Sequence, residues 1–361
     1  MAKITISNHY PTLDSIDVAM EKQQDTAARP YLGMSALGHP CTRKVWLDFR
    51  FASTQIFKAA TLRKFDDGHR CEEIQAARLR MVEGVIVDCL TKDGKQHGFS
   101  DHGGHLKGHM DGAILGILEA PKTWHVWEHK ATDDRKKNAL EKLISEDKKS
   151  ALYKWDNIYF VQAQLYMHYS GMKRHYLTVS SAGGRTAISC RTDYQKDIAE
   201  KYIELAGNII ATDSPMPSKV SDNPDYFVCV HMCSNKDICH NNQIAAVTCR
   251  SCAHSEVSME AEGLWLCQYH HTALSVGKQR IGCDDHIYSP VFLSAFADAV
   301  EGNETLNTVE YQNHLNSKRF TNGNIKDFYR SRELFAAADK AIIGDPQMEQ
   351  LRKDFDGELA G

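Results

Sequence analysis

The sequence lacks several features that would place the protein outside the ordinary globular class. It contains no apolar run of about 18 residues, the length that crosses a bilayer, and its first fifteen residues lack the charged-then-apolar order of a secretion signal. Internal repeats and low-complexity blocks are also absent. We therefore expect a soluble, cytoplasmic protein with no membrane partner.

Neither sign of charge dominates the chain. The 43 Lys and Arg residues nearly balance the 47 Asp and Glu residues, which leaves a formal net charge of −4. Such a balance argues against an extended basic coat for nucleic acid, but it leaves a local basic groove open. At 361 residues and 42% hydrophobic content, the chain is large enough to bury a core without covalent staples.

Cysteine, by contrast, is plentiful: the chain has eleven. In a reducing cytosol cysteines rarely pair as disulfides, so clustered cysteines indicate metal ligands. Their distribution, together with three prolines at positions 215, 217 and 224, suggests four regions. These are a polar peripheral arm (1–30), a core (31–222), a cysteine-rich metal-binding region (223–290) and a C-terminal extension without a chemical motif (291–361).

Hydrophobic periodicity predicts alternating helices and strands in the core. We expect a helix over Phe65–Glu83 that is capped by Asp66 or Asp67 and ended by Gly84. Further elements are expected as strands at Val85–Leu90, Leu106–Leu118, Trp124–Lys130, His175–Ser181 and Thr186–Arg191, and as helices at Arg135–Lys149, Asn157–Tyr169 (ended by Gly171), Thr192–Thr212 and Ser331–Ile343.

Glu128 and Lys130 are the first candidates for chemistry. On a strand, alternation places both on one face, with His125 and His129 on the other. A carboxylate beside an ammonium suits phosphate-ester hydrolysis, because the carboxylate binds a divalent cation and the lysine stabilises developing negative charge. By itself, however, Glu-x-Lys is common and usually forms a solvated ion pair.

Two more acids can join this pair. Asp111 precedes a predicted strand, and a hairpin turning near Ala120-Pro121 would bring it to the same part of the sheet as Glu128. Glu72 lies on the preceding helix, four residues after Gly68. The simpler interpretation of Glu72 is a solvated carboxylate in the first turn of that helix.

These motifs together resemble those of the PD-(D/E)XK nuclease superfamily, especially its RecB-like and phage exonuclease branch, to which lambda exonuclease is related. The resemblance covers about residues 35–210, and it departs from the family where Met110 replaces the usual proline before Asp111. It is carried by four motifs in order, Gly68…Glu72, Gly108-His-Met-Asp111, Glu128-His-Lys130 and Gln162-Ala-Gln-Leu-Tyr166.

The resemblance implies an α/β fold with a restriction-endonuclease-like core, in which helices flank a mixed central sheet. It implies that Glu72, Asp111 and Glu128 bind Mg²⁺ or Mn²⁺ and that Lys130 is the catalytic lysine. Gln162 and Tyr166, which share a helix face, would face the site and the DNA, with Gln164 as the alternative glutamine. The implied activity is a metal-dependent deoxyribonuclease.

We expect an exonuclease of DNA recombination or end resection, encoded by a phage and acting in the host cytoplasm. DNA is the expected partner, and a helicase or a single-strand-annealing protein is a possible second one. The sequence does not specify the oligomeric state. The alternatives are a catalytically idle DNA-binding or adaptor protein on the same fold and a metal-binding structural module. Intact Glu72, Asp111, Glu128 and Lys130 argue against the idle protein.

One group of cysteines combines Cys41 with the triple Cys229-x3-Cys233-x5-Cys239. This arrangement, with Cys41 followed by x-Arg, resembles the iron–sulfur nucleases of the AddB and CRISPR-associated RecB-like types. The resemblance implies that these four thiolates bind a 4Fe-4S cluster. The first gap of three residues, where the family has two, leaves His231 or His240 as substitutes; a zinc site or free buried thiols are the alternatives.

The second group is Cys249-x2-Cys252-x14-Cys267-x15-Cys283. Two residues between thiolates let both reach one tetrahedral ion, so the spacing predicts structural zinc. Replacement ligands in this region are His254, His270, His271 and His286. The remaining Cys71, Cys89 and Cys190 are expected as buried apolar residues.

Overall fold

A computed structural model describes residues 10–359 of the chain. Its helices are α1 (Pro11–Gln23), α2 (Thr42–Phe49), α3 (Ala59–Leu79), α4 (Asp134–Glu146), α5 (Ala151–Trp155), α6 (Asn157–Ser170), α7 (Lys196–Ala211), α8 (Phe227–His231), α9 (Lys236–His240), α10 (Val276–Gln279), α11 (Ser331–Ala336) and α12 (Pro346–Phe355). Its strands are β1 (Leu32–Gly33), β2 (Ile86–Asp88), β3 (Gly98–Asp101), β4 (Leu106–His109), β5 (Gly112–Leu115), β6 (His125–Thr132), β7 (Arg174–Ser181), β8 (Ala187–Asp193), β9 (Ser255–Val257), β10 (Trp265–Cys267), β11 (Thr272–Leu274), β12 (Ala297–Asn303), β13 (Thr308–Asn313) and β14 (Arg319–Gly323).

The described residues form two compact units, each built from separate stretches of chain. The first unit contains residues 10–26, Gln55–Phe99 and His109–Lys196. The second contains Ala27–Thr54, residues 100–108 and residues 197–359. No helix within the described part of the chain is long and apolar enough to span a membrane.

A five-stranded mixed sheet forms the centre of the first unit. Its strand order is β2-β5-β6-β7-β8. The pair β6–β7 is parallel, whereas β2–β5, β5–β6 and β7–β8 are antiparallel. Parallel strands need a crossover connection, and α4, α5 and α6 supply it between β6 and β7. The α/β class with helices flanking a mixed central sheet is thereby confirmed.

Strand β6 is buried on both faces, because different helices cover them. On one face Trp127 packs with Ala76 of α3, Ile114 of β5 and Tyr176 of β7. The side chains on the other face alternate with Trp127, and there Glu128 contacts Gln162 of α6. The central strand therefore places its polar residues beneath helices and out of bulk solvent.

Helix α6 begins and ends where its sequence predicts. Asp156 caps the N-terminus by accepting hydrogen bonds from the backbone N–H groups of Ile158 and Tyr159 at 3.0 and 3.4 Å. Gly171 ends the helix with a φ of 75°, a conformation that glycine adopts without steric cost. The eight residues 160–167 are all buried, so this helix lies in the core with apolar and polar side chains alike.

The predicted start of α3 is wrong. The helix begins at Ala59, six residues before Phe65, so Asp66 and Asp67 lie inside it and cannot cap it. The capping acceptor instead comes from α1, where Glu21 accepts a hydrogen bond from the backbone N–H of Ala59 at 3.0 Å. Helix α1 lies in the expected peripheral arm, of which residues 1–9 fall outside the described residues.

The C-terminal part of the second unit differs most from the sequence prediction. Strands β12, β13 and β14 form an antiparallel sheet that the sequence analysis missed. Six of the seven residues of β12 are exposed, so the strand lacks the apolar–polar alternation that would have marked it. The expected helix at Ser331–Ile343 ends at Ala336 and is followed by a single 3₁₀ turn, Lys340–Ile342.

Burial of His175 on β7 predicts an acid-sensitive fold. His175 is 1% exposed, and neither ring nitrogen has a hydrogen-bond partner among the described residues. Burial, reinforced by Lys130 and His125, lowers its pKa to about 3. The folded chain keeps this ring neutral, whereas an unfolded chain protonates it below about pH 6.5. The free energy of unfolding should therefore fall as the pH decreases through 6.5.

His175→Leu removes this proton linkage. Between pH 7.5 and pH 5.5 the variant should lose about 1.4 kcal/mol less of its unfolding free energy than the parent chain does, as measured by urea denaturation. His69→Ala, which changes an exposed histidine of α3, serves as the control and should leave the pH dependence unchanged. Equal pH dependence in the His175→Leu variant and the parent would contradict the prediction.

Candidate active site

Glu128 and Lys130 project from the same face of β6 and form an ion pair. The Nζ of Lys130 donates to Oε2 of Glu128 at 2.8 Å. Glu128 is 2% exposed and the Lys130 side chain is 20% exposed. A pair this buried differs from the solvated ion pair that Glu-x-Lys usually makes, because water no longer screens its charges.

Asp111, on the turn between β4 and β5, is fastened to β6 by its side chain and its backbone. The backbone N–H of His129 donates to Oδ2 of Asp111 at 2.8 Å, and the backbone N–H of Asp111 donates to Oε1 of Glu128 at 3.2 Å. The Nζ of Lys130 lies 4.0 Å from Oδ2 of Asp111. These contacts join the two carboxylates and the lysine into one rigid constellation.

Gly112 allows this turn to approach the neighbouring strand. A Cβ atom at position 112 would lie 2.8 Å from the carbonyl oxygen of Asp88, at the end of β2. Any larger residue would push β5 away from β2 and displace Asp111. The glycine after the acid thus has a steric role in the geometry of the site.

Glu72 faces the same constellation from α3. Burial and the Asp111 carboxylate raise its pKa to about 7, while Lys130 opposes the shift. This interaction places Glu72 within electrostatic reach of both groups. The structure therefore brings together the acid on the helix, the acid on the turn and the Glu-x-Lys pair on the strand.

Burial and the neighbouring carboxylates together outweigh the single lysine in setting the pKa values of the acids at this site. Burial and Asp111 raise the pKa of Glu128 to about 8, against the opposing effect of Lys130. Burial alone would lower the pKa of Lys130, but Glu128 and Asp111 outweigh it and raise that pKa. A site with three acids and one cation has room for further positive charge, and carboxylate oxygens are the ligands that Mg²⁺ prefers.

Gln162 and Tyr166 reach the constellation from α6. The amide nitrogen of Gln162 lies 3.3 Å from Oε2 of Glu128 and 3.2 Å from the hydroxyl oxygen of Tyr166. Gln164, the alternative glutamine, lies elsewhere: its amide donates to the carbonyl of Asp193 and accepts from the backbone N–H of Gln195. Of the two glutamines, the structure places Gln162 at the site.

The back of the site is braced by residues that the sequence analysis did not single out. Thr178 Oγ1 donates to the backbone carbonyl of Glu128 and lies 3.0 Å from both Trp127 Nε1 and His129 Nδ1. Ser180 Oγ lies 3.1 Å from His129 Nε2. The available signal was that Thr178 and Ser180 alternate with the apolar Leu177 and Val179, in the strand that pairs with β6 in parallel register.

Aromatic side chains and a second lysine border the open side of the site. Lys130 Nζ lies 5.4 Å from the centre of the Tyr159 ring, and Lys136 Nζ lies 5.2 Å from the same ring and 5.0 Å from that of Trp155. Both rings are partly exposed, whereas Phe160 is buried in the core. Of the three aromatic residues near the start of α6, Trp155 and Tyr159 are thus accessible to a ligand.

The first cysteine group lies in the second unit. Cys41 directly precedes α2, Cys229 lies on α8 and Cys239 on α9. Burial raises the pKa of Cys233 to about 11, and the thiols of Cys239 and Cys41 add to the effect. The pKa of Cys239 is likewise raised by burial and Cys41, while Arg43 opposes the shift.

Three members of this group are therefore neighbours. Cys229 is buried four residues before Cys233, and the structure shows no interaction between it and the other three within the described residues. The nearby substitute His240 has a buried Nε2 that lacks a hydrogen-bond partner in residues 10–359.

All members of the second group line one cavity of about 370 Å³ in the second unit. Three histidines of the region, at positions 254, 270 and 286, line it as well. Within residues 10–359, one group places three ligand atoms within 4.8 Å of one another, and it consists of His270, Cys283 and Asp285 on this cavity. In neither cysteine group do three ligand atoms lie this close together, and the carboxylates of Glu72, Asp111 and Glu128 do not do so either.

The three remaining cysteines vary in burial. Cys71 and Cys190 are buried, as an apolar role requires, whereas Cys89 is half-buried. Arg80 NH2 lies 3.2 Å from the sulfur of Cys89.

Comparison with known proteins adds distant structural likenesses. No protein-family model and no curated protein matches the chain. Similar solved structures include an alkaline exonuclease from Laribacter hongkongensis, at 14% identity over 51% of this chain and 88% of that chain, with a TM-score of 0.35. A phage-related exonuclease from Haemophilus somnus covers 50% of this chain and 91% of its own at 11% identity, with a TM-score of 0.31. Because these values are low, the site is interpreted from its own geometry.

Removal of the Thr178 hydroxyl tests the brace behind the site. Thr178→Val leaves the buried N–H of Trp127 and Nδ1 of His129 without a partner, so the free energy of unfolding should fall by about 1–3 kcal/mol. Urea denaturation at pH 7.5 measures the change. Thr192→Val removes a buried hydroxyl of β8 outside this network and should cost less. An unchanged stability of Thr178→Val would show that the network contributes nothing.

Proposed function

We propose that this chain is a metal-dependent deoxyribonuclease. The observation that carries the proposal is the buried constellation of Asp111, Glu128 and Lys130, with Glu72 facing it from α3. A lone ion pair would not need the two backbone hydrogen bonds that fix Asp111 against Glu128 and His129. Such bonds hold both carboxylates toward one point, as a cation site requires.

The residues of the site divide the chemistry among them. Asp111, Glu128 and Glu72 would hold one or two Mg²⁺ or Mn²⁺ ions, which supply Lewis acidity and an activated water when bound. Lys130 positions its ammonium group to stabilise charge on the attacking water and on the phosphoryl oxygens. Gln162 holds the carboxylate of Glu128 in place, and Tyr166 in turn holds Gln162.

The aromatic side chains beside the site suit a nucleic-acid end. Trp155 and Tyr159 offer partly exposed rings for a base to stack on, and Lys136 lies against both rings. Its Nζ donates to Asp156 at 2.9 Å, which keeps the ammonium group at the border of the site, where a phosphate can reach it. Lys137, the next residue of α4, is buried and is therefore not accessible to a phosphate.

The finer proposal is an exonuclease of the PD-(D/E)XK type, acting in DNA recombination or end resection and encoded by a phage. The order of the four motifs supports the type. An exonuclease would take DNA ends as substrate, and either a helicase or a single-strand-annealing protein would be a fitting partner. The alternative is a catalytically idle DNA-binding or adaptor protein on the same fold.

Substitution of the central pair tests the catalytic proposal. Glu128→Gln and Lys130→Met should each lower the rate of Mg²⁺-dependent degradation of linear DNA by at least about 10²-fold, while the circular dichroism spectrum stays unchanged. Lys142→Met and Glu146→Gln make the same chemical changes in an exposed ion pair of α4 and should leave the rate intact. Equal cleavage by all four variants would refute the site, and DNA binding without cleavage by the parent chain would favour the idle protein.

We also propose that Cys41, Cys229, Cys233 and Cys239 bind a 4Fe-4S cluster. In its support, Cys41, Cys233 and Cys239 are neighbours, and Cys229 is buried on α8 in the same unit. Burial and the nearby thiols raise the pKa of Cys233 in the absence of bound metal. A metal ion or cluster would relieve this penalty by stabilising the thiolates.

Anaerobic purification tests the cluster. The chain should be brown and contain about four irons and four sulfides per molecule, and Cys233→Ser should lose both. Cys89→Ala, which alters a thiol of the first unit, should keep the colour and the iron. A colourless chain with two zinc ions and no iron would refute the cluster and reassign the four cysteines to zinc.

A further inference from the structure

An arginine in an unusual environment lies between two cysteines of the second group in the sequence. Arg250, which lies between Cys249 and Cys252, is 0% exposed, and it forms no ion pair with a carboxylate within the described residues. Burial, with repulsion from Arg50 and Arg280, lowers its pKa well below the ordinary value. A buried charge without a counterion is costly, so the surrounding structure must hold it firmly.

The hydrogen bonds of the guanidinium group are accepted by uncharged oxygen atoms, which belong to backbone carbonyls and a side-chain amide. NH1 donates to the carbonyl of Phe49 at 2.6 Å, and NH2 donates to the carbonyl of Pro30 at 2.7 Å. Nε and NH2 both donate to Oε1 of Gln279, at 3.1 and 2.6 Å. All of these residues belong to the second unit. Arg250 therefore connects residues that are about 200 positions apart in the sequence.

Aromatic rings complete the cage around Arg250. Its guanidinium carbon lies 5.0, 4.0 and 4.5 Å from the ring centres of Phe49, Phe51 and Trp265. Trp265 begins β10, the strand that ends at Cys267. Cys267 thus lies on the strand that contributes Trp265 to the cage, and Cys249 and Cys252 lie on either side of Arg250 in the sequence.

The four cysteines of the group line one cavity of the second unit. Burial raises the pKa of Cys249 to about 12, and the thiols of Cys252, Cys283 and Cys267 add to it. Cys252 is affected in the same way by Cys283 and Cys267, and Cys283 by Cys267. Four thiols around one cavity are the ligand set of a structural zinc ion.

The backbone around the thiols is already organised. The N–H of Cys252 donates to the carbonyl of Cys249 at 3.1 Å, in a turn that places both side chains on the cavity. The N–H of His270 lies 3.4 Å from the sulfur of Cys267. An N–H group aimed at a ligand sulfur is the kind of outer hydrogen bond that tunes thiolate metal sites.

The three histidines that line the cavity have different hydrogen-bond partners. His254 is engaged with Oδ1 of Asn307 at 2.6 Å, and His286 with the carbonyl of Thr248 at 3.0 Å. The Nε2 atom of His270, by contrast, lies 3.7 Å from the sulfur of Cys283 and 3.4 Å from Oδ2 of Asp285. His270 is therefore the histidine positioned to donate to a cysteine of the group.

We propose that one zinc ion bound by Cys249, Cys252, Cys267 and Cys283 fastens the turn that holds Arg250 in its cage, and that His270 donates to the Cys283 sulfur without ligating the metal. The zinc ion fixes the position of the turn that carries Arg250. The hydrogen bonds of Arg250 then restrain the backbone of Pro30 and Phe49. The site is structural, so it is independent of the proposed nuclease activity.

Metal analysis of the full chain tests the ligand set. The chain should contain one zinc ion per molecule, Cys252→Ser and Cys283→Ser should lose it, and His270→Ala should keep it. Cys41→Ser should also keep it, which distinguishes this site from the first cysteine group. No zinc in the parent chain would overturn the proposal, and so would zinc that is lost from His270→Ala but kept by Cys283→Ser.

The link between zinc and Arg250 needs a second measurement, because the cysteine variants can fail to fold. Removal of zinc from the parent chain with a chelator should lower its melting temperature, and re-addition of Zn²⁺ should restore it. Arg250→Met should retain zinc yet lose most of that zinc-dependent stabilisation. A melting temperature that is unaffected by the chelator, or Arg250→Met with the full response to zinc, would overturn the proposed role.

Discussion

The buried ion pair of Glu128 and Lys130 is the interaction on which the first unit depends. Two opposite charges withdrawn from water are stable only when further hydrogen bonds satisfy them. Gln162, the backbone of Asp111 and the turn that Gly112 permits supply those bonds. The sheet order β2-β5-β6-β7-β8 and the covering helices α3 and α6 hold these partners in place.

A different solution stabilises the second unit. There the most buried charge, Arg250, has carbonyl and aromatic neighbours and lies between two cysteines. Both units place ionised groups where water cannot screen them, but one uses paired charges and the other uses a cage. The buried charges of the first unit carry motifs that the sequence singles out, whereas Arg250 carries none.

Local signals in the sequence were sufficient for much of the fold. Gly171 predicted the end of α6, and alternation in residues 124–130 predicted β6 with Glu128 and Lys130 on one face. The start of α3 was wrong because its cap is supplied by Glu21 of another helix. Strand β12 was missed because its exposed residues carry no periodic pattern.

The site was predictable as far as its residues carry chemical motifs. Glu72, Asp111, Glu128, Lys130 and Gln162 were singled out from spacing and resemblance, and the structure places them together. Their burial could not be predicted, because it depends on which helices cover the sheet. The same holds for Thr178 and Arg250, whose partners are 29 to 220 residues away in the sequence.

Binding of Mn²⁺, measured by calorimetric titration of the full chain, tests the central claim most directly, because it reports on the carboxylate site without assuming a DNA substrate. Any zinc or iron stays in place during the titration, so that only the carboxylates are free to respond. We predict one or two Mn²⁺ ions per chain for the parent protein and a loss of that binding in Asp111→Asn and Glu128→Gln. A parent chain that binds no Mn²⁺, or variants that bind it unchanged, would contradict the account.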